Sequence, residues 1–324
     1  MIFEELSILD RLKPPLRALK YGWLRWSAEQ RAYWIGDREQ TASKPVAFII
    51  SCGRSGTTIL GQIFARHPQV NYLFEPHHLW AAIDQRTDVL NLFHRVDACL
   101  FMDASHYSEQ SQLRFNRLIR AGHGSSRAKL VLEKAPLHAF RIGYLEALAP
   151  SSKFVHLVRD GVDVCRSINR LATSNCYKIA GKSALNQWWG VDYAKWRALK
   201  RDGTAAGYYA SEVHYLEDHL SKGAYEWLVT LGEIERWREP LGENLKELTY
   251  DTLTTAPKST LKGLCEFFEI DSPQPWLDEA VSAIGLPRHN KGPAVSLPPA
   301  MCEEFNRYQE RYGFPNRALC LEEN

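Results

Sequence analysis

The segment that most constrains this chain is residues 45–66, where an apolar run, Phe48-Ile49-Ile50, feeds a glycine-containing turn, Cys52-Gly53-Arg54-Ser55-Gly56, and then an apolar helical pattern. A continuous β-rich run suits a buried parallel strand, and Thr57 and Thr58 then open the helix. That helix is expected to bury Ile59, Leu60, Ile63 and Phe64, and Pro68 disfavours helical geometry at His67. The first N–H groups of a helix have no intrahelical partner and lie at the positive end of its dipole, so strand, loop and helix together make an anion cradle. Gly53 and Gly56 let the backbone come close, Arg54 adds a permanent forked charge, and Ser55, Thr57 and Thr58 add hydroxyls suited to phosphate or sulfate oxygens.

The strand and helix pattern recurs. Residues 70–74 form a second short strand ending at Glu75-Pro76, and residues 129–132 a third, which delivers Glu133 and Lys134 before Pro136. Residues 154–158 form a fourth, with Arg159-Asp160-Gly161 as its turn and Val162, Cys165 and Ile168 inward on the next helix. Residues 245–250 resemble a fifth, followed by a helix burying Leu261, Leu264, Phe267 and Phe268, while Ile142, Leu145 and Leu148 mark a crossover helix. Such alternation predicts an α/β fold with a parallel sheet and right-handed crossovers. Ligands of these sheets collect beyond the carboxyl ends of strands, so Glu75, Lys134 and Arg159 should share a rim with the glycine loop.

The remaining stretches read as cover. Helices are expected around residues 90–94 and 113–119, and residues 171–243 show no strand; Trp188, Trp189, Tyr193, Trp196 and Leu199 fall on one helical side, as a lid or wall. The tail holds Arg288, His289, Asn290 and Lys291 in a loop able to close over a ligand, then a short terminal helix.

With 324 residues and 45% hydrophobic content, the chain can bury a substantial core, and a formal net charge of +2 calls for no polyanionic partner such as nucleic acid. Cys52, Cys99, Cys165, Cys176, Cys265, Cys302 and Cys320 are scattered, odd in number and without a CxxC pair, which predicts thiols rather than a disulfide framework or a zinc site. No apolar run is long enough to span a membrane, so a cytoplasmic location is expected. Residues 9–34 interleave Arg11, Lys13, Arg17, Lys20, Arg25 and Arg31 with Leu12, Leu16, Leu19, Trp23, Leu24, Trp26 and Trp34. That composition suits a helix lying on a membrane surface, but the apolar positions alone would let it dock on the domain or on a second subunit, which is the favoured expectation.

Two basic anion sites, Arg54 with its hydroxyls and Arg159 with Ser167, call for a ligand that is anionic at both ends, as a bis-phosphorylated nucleotide is. Here the chain resembles a family: residues 52–58, Cys-Gly-Arg-Ser-Gly-Thr-Thr, look like the 5′-phosphosulfate loop of sulfotransferases, and residues 158–167 look like their 3′-phosphate motif. Residues 61–76 are similar to the corresponding stretch of the carbohydrate and bacterial branch, and residues 133–136 and 250–253 extend the likeness. The resemblance implies a P-loop-like three-layer αβα domain over residues 45–324, with a helical insert at about 171–243 and an N-terminal helical extension over residues 1–44. It also implies 3′-phosphoadenosine-5′-phosphosulfate as donor, no metal, and an acceptor hydroxyl on a carbohydrate or lipid-linked molecule.

Under that resemblance the loop residues Cys52 to Thr58 hold the 5′ end, Arg159 and Ser167 hold the 3′-phosphate, and Tyr250 and Lys291 are later cofactor contacts. Glu75 is the expected base, with Arg54 and Lys134 stabilising the leaving oxygen, while His77 and His78 lie beside it as acceptor contacts or structural residues. The small-molecule branch carries lysine where this chain has Arg54 and uses a histidine that has no counterpart aligned here. A nucleoside-triphosphate enzyme shares strand, loop and helix, but the loop lacks the Gly-Lys-Ser/Thr ending; an inactive nucleotide-binding scaffold would have no use for both Glu75 and Lys134.

Overall fold

The computed structural model describes residues 8–34, 44–94, 97–121, 128–177, 185–285 and 289–321. Residues 1–7, 35–43 and Arg288, named in the sequence expectations, lie outside the described residues.

Five parallel strands make the central sheet: β1 (Val46–Ile50), β2 (Val70–Phe74), β3 (Leu130–Lys134), β4 (Lys153–Val158) and, at one edge, the strand Leu245–Thr249. Two minor strands, β5 (Leu185–Asn186) and β6 (Gly190–Val191), precede that edge strand, which is therefore β7. The order is β2-β3-β1-β4-β7, so the glycine loop leaves the middle strand of the sheet. Successive residues of a strand point to opposite faces. Ala47 and Ile49 of β1 accordingly pack in one cluster with Leu60, Ile63 and Phe64, while Phe48 and Ile50 pack in another with Trp80 and Leu145.

Helices cover both faces. Starting from α1 (Ile8–Trp34), they run α2 (Thr57–Phe64), α3 (His77–Ile83), α4 (Glu109–Phe115), α5 (Ile142–Leu148) and α6 (Gly161–Ser174). The later ones are α7 (Ala194–Ala205), α8 (His219–Leu241), α9 (Tyr250–Thr255), α10 (Pro257–Phe267), α11 (Gln274–Ala283) and α12 (Pro299–Arg311). A third apolar cluster joins α6, α8 and α12 through Ile168, Trp227 and Phe305.

Several expectations are corrected. Ile59 is 37% exposed and only Leu60, Ile63 and Phe64 of its stripe are buried, because α2 turns just one narrow face to the sheet. Residues 92–94 are not helical: the Asp88 carboxylate accepts their backbone N–H groups and closes a turn instead. The insert does contain strand, the antiparallel pair β5 and β6, and Trp188 and Trp189 sit in its turn while Trp196 and Leu199 lie on α7. Their helical spacing is thus split between two elements.

Cys302 and Cys320 are joined in a disulfide, against the expectation of thiols. The two are 18 residues apart, and a parallel pairing of β8 (Ser296–Leu297) with β9 (Leu319–Cys320) folds the tail back onto α12 to bring them together. No spacing rule signals such a pair. The other five cysteines are free. No described helix is long and apolar enough to cross a membrane.

Candidate active site

The turn after β1 is built by its own backbone. The Ser51 hydroxyl donates to the Leu157 carbonyl at 2.6 Å, tying the end of β1 to β4, and the buried Ser55 hydroxyl donates to the Cys52 carbonyl at 2.8 Å. Gly56, the N-cap of α2, has φ 96°, a left-handed conformation that glycine takes without strain. The buried Cys52 thiol is pushed well up by burial and by the Glu226 charge, so it stays protonated and its backbone is what the loop uses.

Gly53 is required by a close approach: a Cβ there would lie 2.3 Å from Cη2 of Trp188. That indole is pinned, donating from Nε1 to Glu226 at 2.9 Å, with the Lys195 ammonium 3.9 Å over its ring and bonded to the same carboxylate at 2.6 Å. The insert therefore presses on the anion loop. Gly53→Ala is expected to weaken binding of adenosine 3′,5′-bisphosphate about tenfold, the scale of a one-methyl overpacking of 1–3 kcal/mol. Calorimetric titration checks it, and Trp188→Ala in the same chain should restore much of the loss by removing the clashing ring.

Beside the loop stands an ion pair. The Lys134 ammonium, 2% exposed at the end of β3, is bonded to Glu75 Oε1, donates to the Thr58 hydroxyl at 3.2 Å and lies 4.9 Å over the Phe74 ring. Parallel register places Phe74 opposite Lys134, and the Glu75 N–H donates to the Lys134 carbonyl, so the two residues are aligned by the sheet itself. Glu75 has φ 40°, a left-handed backbone for a non-glycine residue, which marks a position held by its surroundings. Burial pushes its carboxyl up, but the nearby His77 ring and the Lys134 charge outweigh it and bring the group down to about 2. Burial also pulls Lys134 down, with Glu75 opposing that shift. His77 Nε2 lies 3.8 Å from Glu75 Oε2; His78 is held below its ordinary value by burial.

The second basic site is continuous with the first. Arg54 Nε donates to the Ser167 hydroxyl at 3.0 Å, and Arg159 donates to the Arg54 carbonyl at 3.2 Å and lies 4.7 Å over the Tyr250 ring. Burial and then the neighbouring Arg159 and Arg170 charges lower Arg54. Tyr250 is buried, and a Cβ at Gly56 would lie 2.6 Å from its ring, so it cushions both loop and arginine from beneath. Arg159 also pairs with Asp163, at 3.4 Å.

From the face of α6 that completes this end, sequence reasoning takes Ser167 and considers Arg166 as a third phosphate ligand or a solvated side chain, but passes over Asp163 and Arg170. Asp163 accepts from the Asn290 N–H at 2.6 Å, Arg166 donates to the Asn290 and Pro293 carbonyls at 2.9 and 3.0 Å, and Arg170 bonds the Asn290 side chain. Arg166 thus anchors the tail loop, and Lys291, exposed on that loop, follows directly after the anchor. The signal was available: Asp163, Arg166, Ser167 and Arg170 recur at i, i+3, i+4 and i+7 on one helix face. The helix start is also braced from far away. Asp160 caps it and takes hydrogen bonds from Gln309 at 3.1 Å and Asn316 at 2.8 Å.

The arrangement can hold an extended anion. Three cations, Arg54, Arg159 and Lys134, ring the N-terminus of α2, and the carboxylates among them, Glu75 and Asp163, are each paired with a cation. Among the described residues no cluster of His, Cys, Asp and Glu could hold a metal ion.

A model of the sulfotransferase family matches residues 45–274. No curated protein sequence matches the chain. Among solved structures, the sulfotransferase STF9 from Mycobacterium avium superposes with a TM-score of 0.52 at 10% identity, covering 97% of this chain and 88% of that one. The sulfotransferase domain of the Synechococcus PCC 7002 olefin synthase gives 0.49 at 19% identity, over 86% of this chain and 98% of that one. The sulfotransferase domain from the curacin biosynthetic pathway gives 0.49 at 18%, over 84% and 98%. The central parallel sheet flanked by helices is thus the P-loop-like α/β fold of sulfotransferases.

Proposed function

Because this chain belongs to the sulfotransferase family, its matched region spanning residues 45–274, we propose that it moves a sulfuryl group from 3′-phosphoadenosine-5′-phosphosulfate to a hydroxyl of a carbohydrate or glycolipid. The observation that carries this is the continuous run of Arg54, Ser167 and Arg159 across the mouth of the glycine loop, beside the Lys134–Glu75 pair. The donor fits the residues present. Its two anionic ends match two arginines, Arg159 donating to the Arg54 carbonyl and Arg54 to the Ser167 hydroxyl, and the first N–H groups of α2 lie at the nearer end.

In this scheme Arg159 and Ser167 hold the 3′-phosphate, while the loop from Cys52 to Thr58 and the Arg54 side chain hold the 5′ end; Tyr250 supports both, and Lys291 closes from the tail loop. Lys134 turns from Glu75 toward the bridging oxygen and stabilises the charge it gains as the sulfur–oxygen bond breaks. Glu75, relieved of its cation, rises in basicity and takes the proton of the acceptor hydroxyl as the new sulfur–oxygen bond forms in line. This order of events explains how a carboxyl held near 2 serves as a base.

The acceptor class rests on the likeness of residues 61–76 to the carbohydrate branch and on Phe74, which is 52% exposed at the rim next to Glu75. We take residues 45–324 as the catalytic domain, residues 171–243 as its insert and residues 1–44 as an extension. For location we keep the expected cytoplasm, and the Cys302–Cys320 bridge is the observation that argues against it, because thiols are kept reduced there.

Turnover is tested with sulfur-35-labelled donor and a panel of sugars and glycolipids, and the cofactor by thermal shift with adenosine 3′,5′-bisphosphate against ATP and Mg²⁺. A larger shift with ATP overturns the donor assignment.

A further inference from the structure

Helix α1 lies flat on the domain with one face inward. Ala28 and Ala32 are buried against Leu79 and Trp80, Tyr21 meets Phe93 edge-on at 5.6 Å, Arg25 donates to the Phe93 carbonyl at 3.1 Å, and Arg17 lies 4.2 Å over the Tyr177 ring. The opposite face is apolar. Leu16, Leu19, Trp23, Trp26 and Tyr33 are 58–75% exposed, and Ala18, Leu19, Gly22, Trp23 and Trp26 line a shallow apolar groove. The favoured expectation is docking on the domain or on a second subunit, and the helix does dock on the domain, through its small residues and the tyrosine edge rather than through these broad side chains.

We propose that this outer face of α1 binds the surface of an anionic phospholipid bilayer. Charge complementarity selects this occupant. From residue 16 to residue 33 the helix carries Arg17, Lys20, Arg25 and Arg31 against a single carboxylate, Glu29, and Lys20 is exposed beside the stripe, whereas Arg25, bonded to Phe93, lies 3.6 Å from Glu29. Tryptophan rings settle at the headgroup level, where an indole is apolar over most of its surface and polar at its N–H, and each surface cation adds about 1 kcal/mol of attraction to an anionic leaflet. The helix is already held parallel to the protein surface, the attitude of an interfacial helix, so little order has to be gained on binding.

The stripe positions 16, 19, 23, 26 and 33 also keep the seven-residue spacing of a helix seam, so a second copy of the chain is the competing occupant. Self-pairing would set basic helices against one another and stack Trp23 and Trp26 in a narrow seam, whereas a bilayer neutralises the cations and accepts bulky rings.

The test uses the full chain, sedimented with phosphatidylcholine vesicles with and without phosphatidylserine, at low and high salt, with light scattering on the same samples. The proposal expects sedimentation that depends on phosphatidylserine and falls with salt. Trp23→Ser/Trp26→Ser should lower the partition coefficient at least about tenfold and Lys20→Ala about fivefold, with unchanged thermal midpoints because all three side chains are exposed. Wild-type protein that stays in the supernatant overturns the proposal, as does equal partition by the tryptophan variant. A dimer that the tryptophan variant dissociates, without vesicle binding, overturns it in favour of a second copy. No donor or turnover enters the measurement, so this proposal and the sulfuryl-transfer scheme fail separately.

Discussion

Glu75→Gln is expected to lower kcat by roughly a thousandfold, within the 10²–10⁴ range that a positioned general base contributes, while leaving the affinity for adenosine 3′,5′-bisphosphate within about twofold. The amide keeps the shape of the carboxylate, and no nucleotide-binding residue in the scheme hydrogen-bonds to it, so binding and chemistry separate. Its cost in stability is predictable too. The substitution leaves the buried Lys134 without its carboxylate, a loss of about 1–3 kcal/mol once the 30% exposure of Glu75 is allowed for. Single-turnover rates on folded protein, with thermal melts run alongside, keep the two effects apart. Wild-type turnover in the variant would remove Glu75 from the base role.

The same pair sets a pH signature. A carboxyl held at about 2, below its usual 4.5, contributes stability that is fully present above about 4.5 and is lost as pH falls toward 2. Acid unfolding of wild type in that window should therefore be steeper than that of Glu75→Gln.

Arg159→Ala is expected to weaken binding of adenosine 3′,5′-bisphosphate by about 100-fold or more, since a partly buried charge-assisted contact costs about 2–5 kcal/mol when one partner is removed. More than one contact goes. Arg159 bonds the Arg54 carbonyl, pairs with Asp163 and stacks on Tyr250, so its loss frees the loop, the helix and the tyrosine at once. Arg159→Lys should recover only part of the affinity, because an ammonium lacks the planar fork that meets a phosphate and a carbonyl together. Titration calorimetry reads both variants, and unchanged affinity in the alanine form would take Arg159 out of the site.

The parallel sheet and the placement of its rim were legible because each depends on neighbours along the chain. β2 spans the expected residues, and the glycine loop follows β1 as its spacing required. β3 and β7 shifted by a residue or two, since the ends of a strand depend on which partner it pairs with rather than on its own side chains. The insert misled for a related reason. Trp188, Trp189 and Trp196 lie at helical spacing, but the turn between β5 and β6 takes the first two, and Gly53, more than a hundred residues earlier, provides the surface on which Trp188 rests.

By itself, then, the sequence determined the succession of the main strands along the chain, the glycine loop after the first of them, and the placing of Arg54, Glu75, Lys134 and Arg159 just beyond strand ends, all set by short apolar runs and turns whose meaning is local. Only the tertiary structure decided that Arg54 touches Ser167, that Glu75 and Lys134 are one ion pair, that Asn290 locks onto α6, that Cys302 meets Cys320, and that the broad side chains of α1 face outward. Apart from the disulfide, 18 residues long, each of these joins residues that are distant in sequence or depends on which face of a helix finds a partner. Burial and charge pairing across the fold settle such matters, and no spacing along the chain records them.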